Sequence, residues 1–182
     1  HRNTAVKKRH RYAILLSMEV HDFISGLAGL LQDETNPVTA LANAAAYLYD
    51  ETEGLNWAGF YLLHGYVLTL GPFQGKPACT RIPCGRGVCG SAVSENATQC
   101  VPDVHAFPGH IACDGASNAE LVVPLRTPAG KAFGVLDLDS PIKGRFDVRD
   151  AERMERAARV IETALCGMAE TVRFFELGGT EK

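Results

Sequence analysis

The 182 residues are 46% hydrophobic and 21% charged, enough for one domain with a real apolar core. A net charge of -3 argues against a dedicated binder of nucleic acid or of membrane surfaces, and no apolar run reaches the roughly 18 residues a membrane span needs. No signal-peptide pattern is visible, so the expected compartment is the cytoplasm, where thiols stay reduced unless they act. The basic cluster Lys7-Lys8-Arg9-His10-Arg11 reads as a solvated, flexible arm over 1–11. From Tyr12 to Gln32, Leu15, Met18, Phe23, Leu27 and Leu31 recur at helical spacing. A second helix is expected after Asn36, with Pro37 in its first turn, ending near Thr52. The period then switches to strands over Trp57–Leu63 and Tyr66–Leu70, joined by His64-Gly65.

The segment from Gly71 to Asn118 is rich in glycine, proline and cysteine. It predicts a short strand near Cys79 to Ile82, a short helix entered at Gly87, another strand near Thr98 to Val101, and a long loop to Asn118. A loop of that length inside a compact domain is usually functional. Two longer strands follow, Glu120 to Arg126 and Lys131 to Asp139. Asp147 then caps a closing helix whose stripe is Val148, Ala151, Met154, Ala158, Ile161, Leu165 and Met168. Helices around an antiparallel meander make an α+β sandwich, with one domain over 12–176 and a tail over 177–182.

Five of the six cysteines, Cys79, Cys84, Cys89, Cys100 and Cys113, fall in that middle segment. Cys79, Cys89 and Cys113 sit in glycine-flanked, element-terminal settings typical of reactive thiols. Cys100 and Cys166 read as small hydrophobes used in packing, and Cys84 as either an extra relay thiol or a silent small hydrophobe. Structural zinc is disfavoured because Cys79, Cys84 and Cys89 are spaced by five residues, without the close ligand pairs such sites use.

The runs WAGFYLL, LGPFQGKPACTRI, GRGVCGSAV, VPDV, FPGHIACDG, ELVVPL and GVLDLDSP occur in that order. Together they resemble the free methionine-(R)-sulfoxide reductase family, whose members are single GAF domains with the active site enclosed by loops over one sheet face. The likeness covers roughly residues 55–147. It implies an α+β GAF domain with helices on both faces of a central antiparallel sheet. The implied activity is cofactor-free, thiol-dependent reduction of free methionine-R-sulfoxide, with thioredoxin as reductant and a homodimer as the possible assembly. By the same resemblance Cys113 is the nucleophile and Cys79 its disulfide partner, while Cys89 takes an attacking or auxiliary role. Pocket residues fall on Trp57, Glu120, Asp137 and Asp139. Cys84 departs from the family, where a bulky apolar residue is more usual.

The residues themselves fit that chemistry. Strand alternation puts Asp137 and Asp139 on one face, opposite Leu136 and Leu138. Two crowded acids need a positive partner, such as the ammonium of a free amino acid, and one of them would hold a proton for the sulfoxide oxygen. Glu120, opening the neighbouring strand, would join them, and Trp57 would wall the methyl group. His110, three residues before Cys113, is either an activator or a loop hydrogen-bonder. The plainer alternatives are a core Trp57 and a solvated Asp137/Asp139 face. At the level of function the rival is a non-catalytic GAF module that binds a small ligand or senses redox state. Such modules usually sit in longer chains, so this length is expected to favour the enzyme.

Overall fold

A computed structural model describes residues 2–109 and 115–168, with side chains from residue 17 onward. The elements are α1 (Arg2–Leu31), α2 (Pro37–Asp50), β1 (Trp57–His64), β2 (Val67–Gly75), β3 (Arg81–Pro83) and α3 (Gly87–Glu95). They continue with β4 (Gln99–Val101), a 3-10 turn (Val104–Ala106), β5 (Ala119–Arg126), β6 (Ala132–Ser140) and α4 (Val148–Cys166). The six strands pair antiparallel in the order β3-β2-β1-β6-β5-β4.

Local chemistry sets the boundaries. The Asn36 side chain accepts from the amides of Val38 and Thr39 at 2.9 and 3.1 Å, while Pro37 takes a first-turn position where no amide is needed. Gly65 turns the β1–β2 hairpin with φ of 61°, a conformation costly to side chains with a Cβ. Asp147 and Asp150 form a reciprocal capping box at the start of α4.

Two boundaries and one burial assignment depart most from the sequence reading, beside smaller shifts such as β3, which spans Arg81–Pro83 rather than Cys79 to Ile82. Helix α1 starts at Arg2 rather than Tyr12, because the lysines and arginines between are good helix formers and nothing breaks the run. Strand β2 runs on to Gly75, since Phe73 and Gly75 pair with Gly59 and Trp57 across a bulge; tertiary pairing overrides a glycine-rich composition. Val148, placed on the closing helix's apolar stripe, is 70% exposed at the helix's first residue. The rest of that stripe is buried from Met154 to Met168, with Ala151 partly so.

The sheet has two differently built faces. Helices α2 and α4 lie on one, α2 over β1 and β2 and α4 over β5, with α1 packed against both helices. Phe60, Leu121, Val123, Leu136 and Leu138 point into that layer and are fully buried. On the other face α3 crosses β5 and β6. Its core contains Trp57, Tyr61, Val88, Cys89, Val122 and Val135. Gly90 brings α3 close: a Cβ there would lie 2.5 Å from the Pro83 carbonyl oxygen, and its own carbonyl accepts from the Gly85 amide at 2.9 Å. That close seat sets the depth at which the neighbouring Cys89 enters the sheet face.

Candidate active site

Register brings the predicted acids together. Trp57 of β1 pairs with Asp139 of β6, which pairs in turn with Glu120 of β5. One step along, Gly59 pairs with Asp137, and Asp137 with Val122. Partners directly across an antiparallel ladder share a face, so Trp57, Glu120, Asp137 and Asp139 all stand on the α3 side. Cys89, in the first turn of α3, descends onto them with its Sγ 3.8 Å from Glu120 Oε1. Ligand atoms of Cys89, Glu120 and Asp137 lie within 4.8 Å of one another. All three residues are buried, and Asp137 Oδ1 has no hydrogen-bond partner. The alternative of a solvated Asp137 is therefore excluded, while Asp139 at the strand end is half-buried.

The wall beside the acids is aromatic. The Trp57 ring stacks on Tyr61 at 5.9 Å and on Phe73 at 5.3 Å between centroids. Gly59 makes this possible, because a Cβ there would meet Trp57 Cη2 at 2.7 Å and also the Phe73 side chain. Two hydrogen bonds then hold the following segment over the face: Trp57 Nε1 donates to the Lys76 carbonyl at 3.1 Å and Tyr61 Oη to the Cys79 carbonyl at 3.0 Å. Tyr61, Gly59 and Phe73 escaped the sequence reading. The alternation of WAGFY, which puts residues 57, 59 and 61 on one face, was the signal available.

The cysteines divide sharply. Cys79 is engaged in a disulfide bond, and Cys84, Cys89, Cys100 and Cys166 are free. Cys84 is half-buried against the same core, in keeping with a hydrophobe's role. Cys100 and Cys166 are exposed, which corrects the packing role expected of both. The reason is position: Cys100 lies on an edge strand and Cys166 ends α4. Cys113, with His110 and Asp114, lies outside the described residues.

Electrostatics shifts this site toward its protonated forms. Burial, then the charges of Asp137 and Glu120, pushes the Cys89 thiol well above the ordinary thiol range. A helix N-terminus favours a thiolate by about 2 kcal/mol at most, whereas burying an uncompensated charge costs several. The thiol form wins. Burial, then Asp137 and Asp139, raises Glu120 well above the carboxylate range, with the Cys89 thiol's hydrogen bond opposing. Asp137 is pushed up to about 7 by burial, again opposed by Cys89. Tyr61 is raised by burial and then by Asp137, Cys89, Asp139 and Glu120, so its hydroxyl stays a donor. No ion pair found among the described residues involves Glu120 or Asp137. The trio can hold protons, receive a cationic group, or ligate a metal.

Fold and site together define a GAF domain, and a family profile described as GAF domain matches residues 27–165. Among its relatives, the free methionine-R-sulfoxide reductase of Escherichia coli (strain K12) is 51% identical over 136 residues, covering 75% of this chain and 82% of that protein. The reduced-form structure of the Staphylococcus aureus enzyme superposes with a TM-score of 0.77 at 49% identity, covering 80% of this chain and 94% of that one. The free methionine-R-sulfoxide reductase of Neisseria meningitidis, solved in complex with its substrate, gives a TM-score of 0.77 at 42% identity, covering 85% of this chain and 90% of that one. The chain belongs to the free methionine-R-sulfoxide reductase family of GAF-domain proteins.

Proposed function

We propose that this chain reduces free methionine-R-sulfoxide to methionine, with Cys113 as nucleophile, Cys79 as resolving thiol and a thioredoxin-type dithiol as reductant. The observation that carries the reading is the unpartnered, buried Asp137 Oδ1, on the sheet face to which Tyr61 ties the disulfide-bonded Cys79. A bare carboxylate there is too costly to keep, and the ammonium of a free amino acid compensates it. Asp139, on the same face, completes that recognition. An approaching ammonium pulls the Asp137 pKa down and ionises it. A residue within a peptide offers no ammonium, so Asp137 would remain uncompensated and the substrate would be rejected.

Glu120, held protonated by its burial, supplies the proton the sulfoxide oxygen needs. The Cys113 thiolate takes the oxygen: the methionine S–O bond breaks, a Cys113 S–O bond forms, and the added proton completes a sulfenic acid. The methionine sulfur gains two electrons and Cys113 loses two. The Cys79 thiol then condenses with the sulfenic acid, forming a Cys79–Cys113 disulfide and releasing water. The external dithiol reduces that bond through a mixed disulfide. Cys89 takes the auxiliary role in this scheme, because its thiol is buried among acids and resists ionisation. Support for the pairing comes from the disulfide state of Cys79 and the free state of Cys84, Cys89, Cys100 and Cys166.

The test counts turnovers. With excess dithiothreitol the protein should convert many equivalents of free methionine-R-sulfoxide, whereas a redox sensor would stop at one or fewer. Cys113→Ser should abolish conversion, and Cys79→Ser should keep one turnover yet fail to cycle with thioredoxin. Sustained thioredoxin-driven cycling by Cys79→Ser would overturn the assignment of the resolving thiol.

A further inference from the structure

We infer that Cys89, Glu120 and Asp137 form a binding site for one thiophilic divalent cation of the zinc and cadmium class. The three side chains come from three separate rigid elements, α3, β5 and β6, so their convergence is set by the fold. Their ligand atoms already lie within 4.8 Å of one another. A tetrahedral zinc with sulfur and oxygen ligands at about 2.3 and 2.0 Å needs ligand separations of about 3.5 Å, so side-chain adjustments of roughly 1 Å close the site. The Cys89 Sγ to Glu120 Oε1 distance of 3.8 Å is close to that already. The buried, partnerless Asp137 Oδ1 is an acceptor that the folded chain leaves unused.

The donor set selects the cation. One thiolate and two carboxylates carry three negative charges, one more than a divalent cation neutralises, and the thiolate favours zinc or cadmium over hard cations. Calcium takes six to eight oxygen ligands, far more than three residues offer. Three protein ligands leave the fourth position open, as in sites that exchange a ligand rather than in closed structural ones. On binding, the Cys89 proton and any proton on the carboxyls leave to solvent, with no change of oxidation state. The cation sits where the substrate's ammonium is proposed to sit, so it competes with substrate. That competition rests on the reductase reading; the binding itself does not.

The protein with Cys79 in its disulfide is titrated with Cd2+ in the absence of any thiol reductant, following the ultraviolet thiolate-to-cadmium absorption. Saturation is expected at one equivalent, with Zn2+ displacing Cd2+ and neither Mg2+ nor Ca2+ doing so. Cys89→Ser should lose the absorption and Cys84→Ser should keep it. Glu120→Gln and Asp137→Asn should bind Cd2+ at least a hundredfold more weakly, since even groups behind the ligands change affinity by about 10–100-fold. Absorption that survives Cys89→Ser, or that disappears with Cys84→Ser, overturns the site. If Cys89→Ser fails to fold, unchanged affinity in both carboxamide variants overturns it instead. In steady state Zn2+ should raise KM and leave kcat alone. A protein that binds one Cd2+ through Cys89 yet never turns over would remove the reductase reading while sustaining the metal site.

Discussion

The two faces of β6 use the same backbone for opposite purposes. Leu136 and Leu138 point into the layer under α2 and α4, where the buried neighbours are apolar, including Phe60, Leu121 and Val123. Asp137 and Asp139 point the other way, toward Cys89, Glu120 and the Trp57 wall. The first face contributes stability by burying hydrocarbon. The second forgoes part of that contribution, because it buries Glu120 and Asp137, whose pKa values rise with burial against only the opposing hydrogen bond of the Cys89 thiol. Stability and chemistry are thus separated by one residue of strand alternation.

Substitutions on the two faces should therefore have opposite signatures. Leu138→Ala opens a cavity in the closed layer and should cost about 2–5 kcal/mol of unfolding free energy, read by denaturant melts, with kcat per folded molecule unchanged. A comparable loss of activity per folded molecule would mean that the faces are not independent. Asp137→Asn should do the reverse and lower kcat/KM roughly a hundredfold, within the usual range for a group handling a proton or charge in the transition state.

The same variant carries a pH signature. Asp137 is raised to about 7 in the fold, so the folded state binds its proton more tightly than the unfolded chain. That contribution is complete below the ordinary carboxylate range and is lost as pH rises through about 7. Asp137→Asn should consequently gain stability relative to the parent over that window, by a few kcal/mol at most. A stability difference flat with pH would show that Asp137 is not buried as described.

Smaller effects sharpen the site's wall. Gly59→Ala would push Trp57 and Phe73 from their seats and should cost about 1–3 kcal/mol, with KM for free methionine-R-sulfoxide raised. An unchanged KM would separate the aromatic wall from substrate binding. Tyr61→Phe removes the hydrogen bond to the Cys79 carbonyl, worth about 1 kcal/mol. It should leave the sheet intact and speed reduction of the Cys79 disulfide by dithiothreitol. An unaltered reduction rate would show that the tether does not restrain Cys79.

Much of this was legible beforehand. The cap at Asn36, the hairpin at Gly65, the capping aspartate of α4 and the shared face of Asp137 and Asp139 follow from local rules that act over a few residues. Strand β2's extension to Gly75 was not legible, because it depends on pairing with Trp57 and Gly59, far along the chain. Tyr61 has no role in the sequence reading, although it shares a face with Trp57. Its use lies in a hydrogen bond to Cys79, 18 residues on. The exposure of Cys100 and Cys166 was misjudged because apolar neighbours in sequence do not report an edge strand or a helix end.

The amino-acid order alone determined the element types, the α+β class, the grouping of thiols in one segment, and the resemblance that pointed to sulfoxide chemistry. These depend on periodicity, turn chemistry and motif, all encoded locally. Only the tertiary structure decided that Cys89, Glu120 and Asp137 meet in one dry place, and that Cys89 is consequently held as a thiol. Desolvation and charge proximity are properties of space, and no spacing along the chain specifies them.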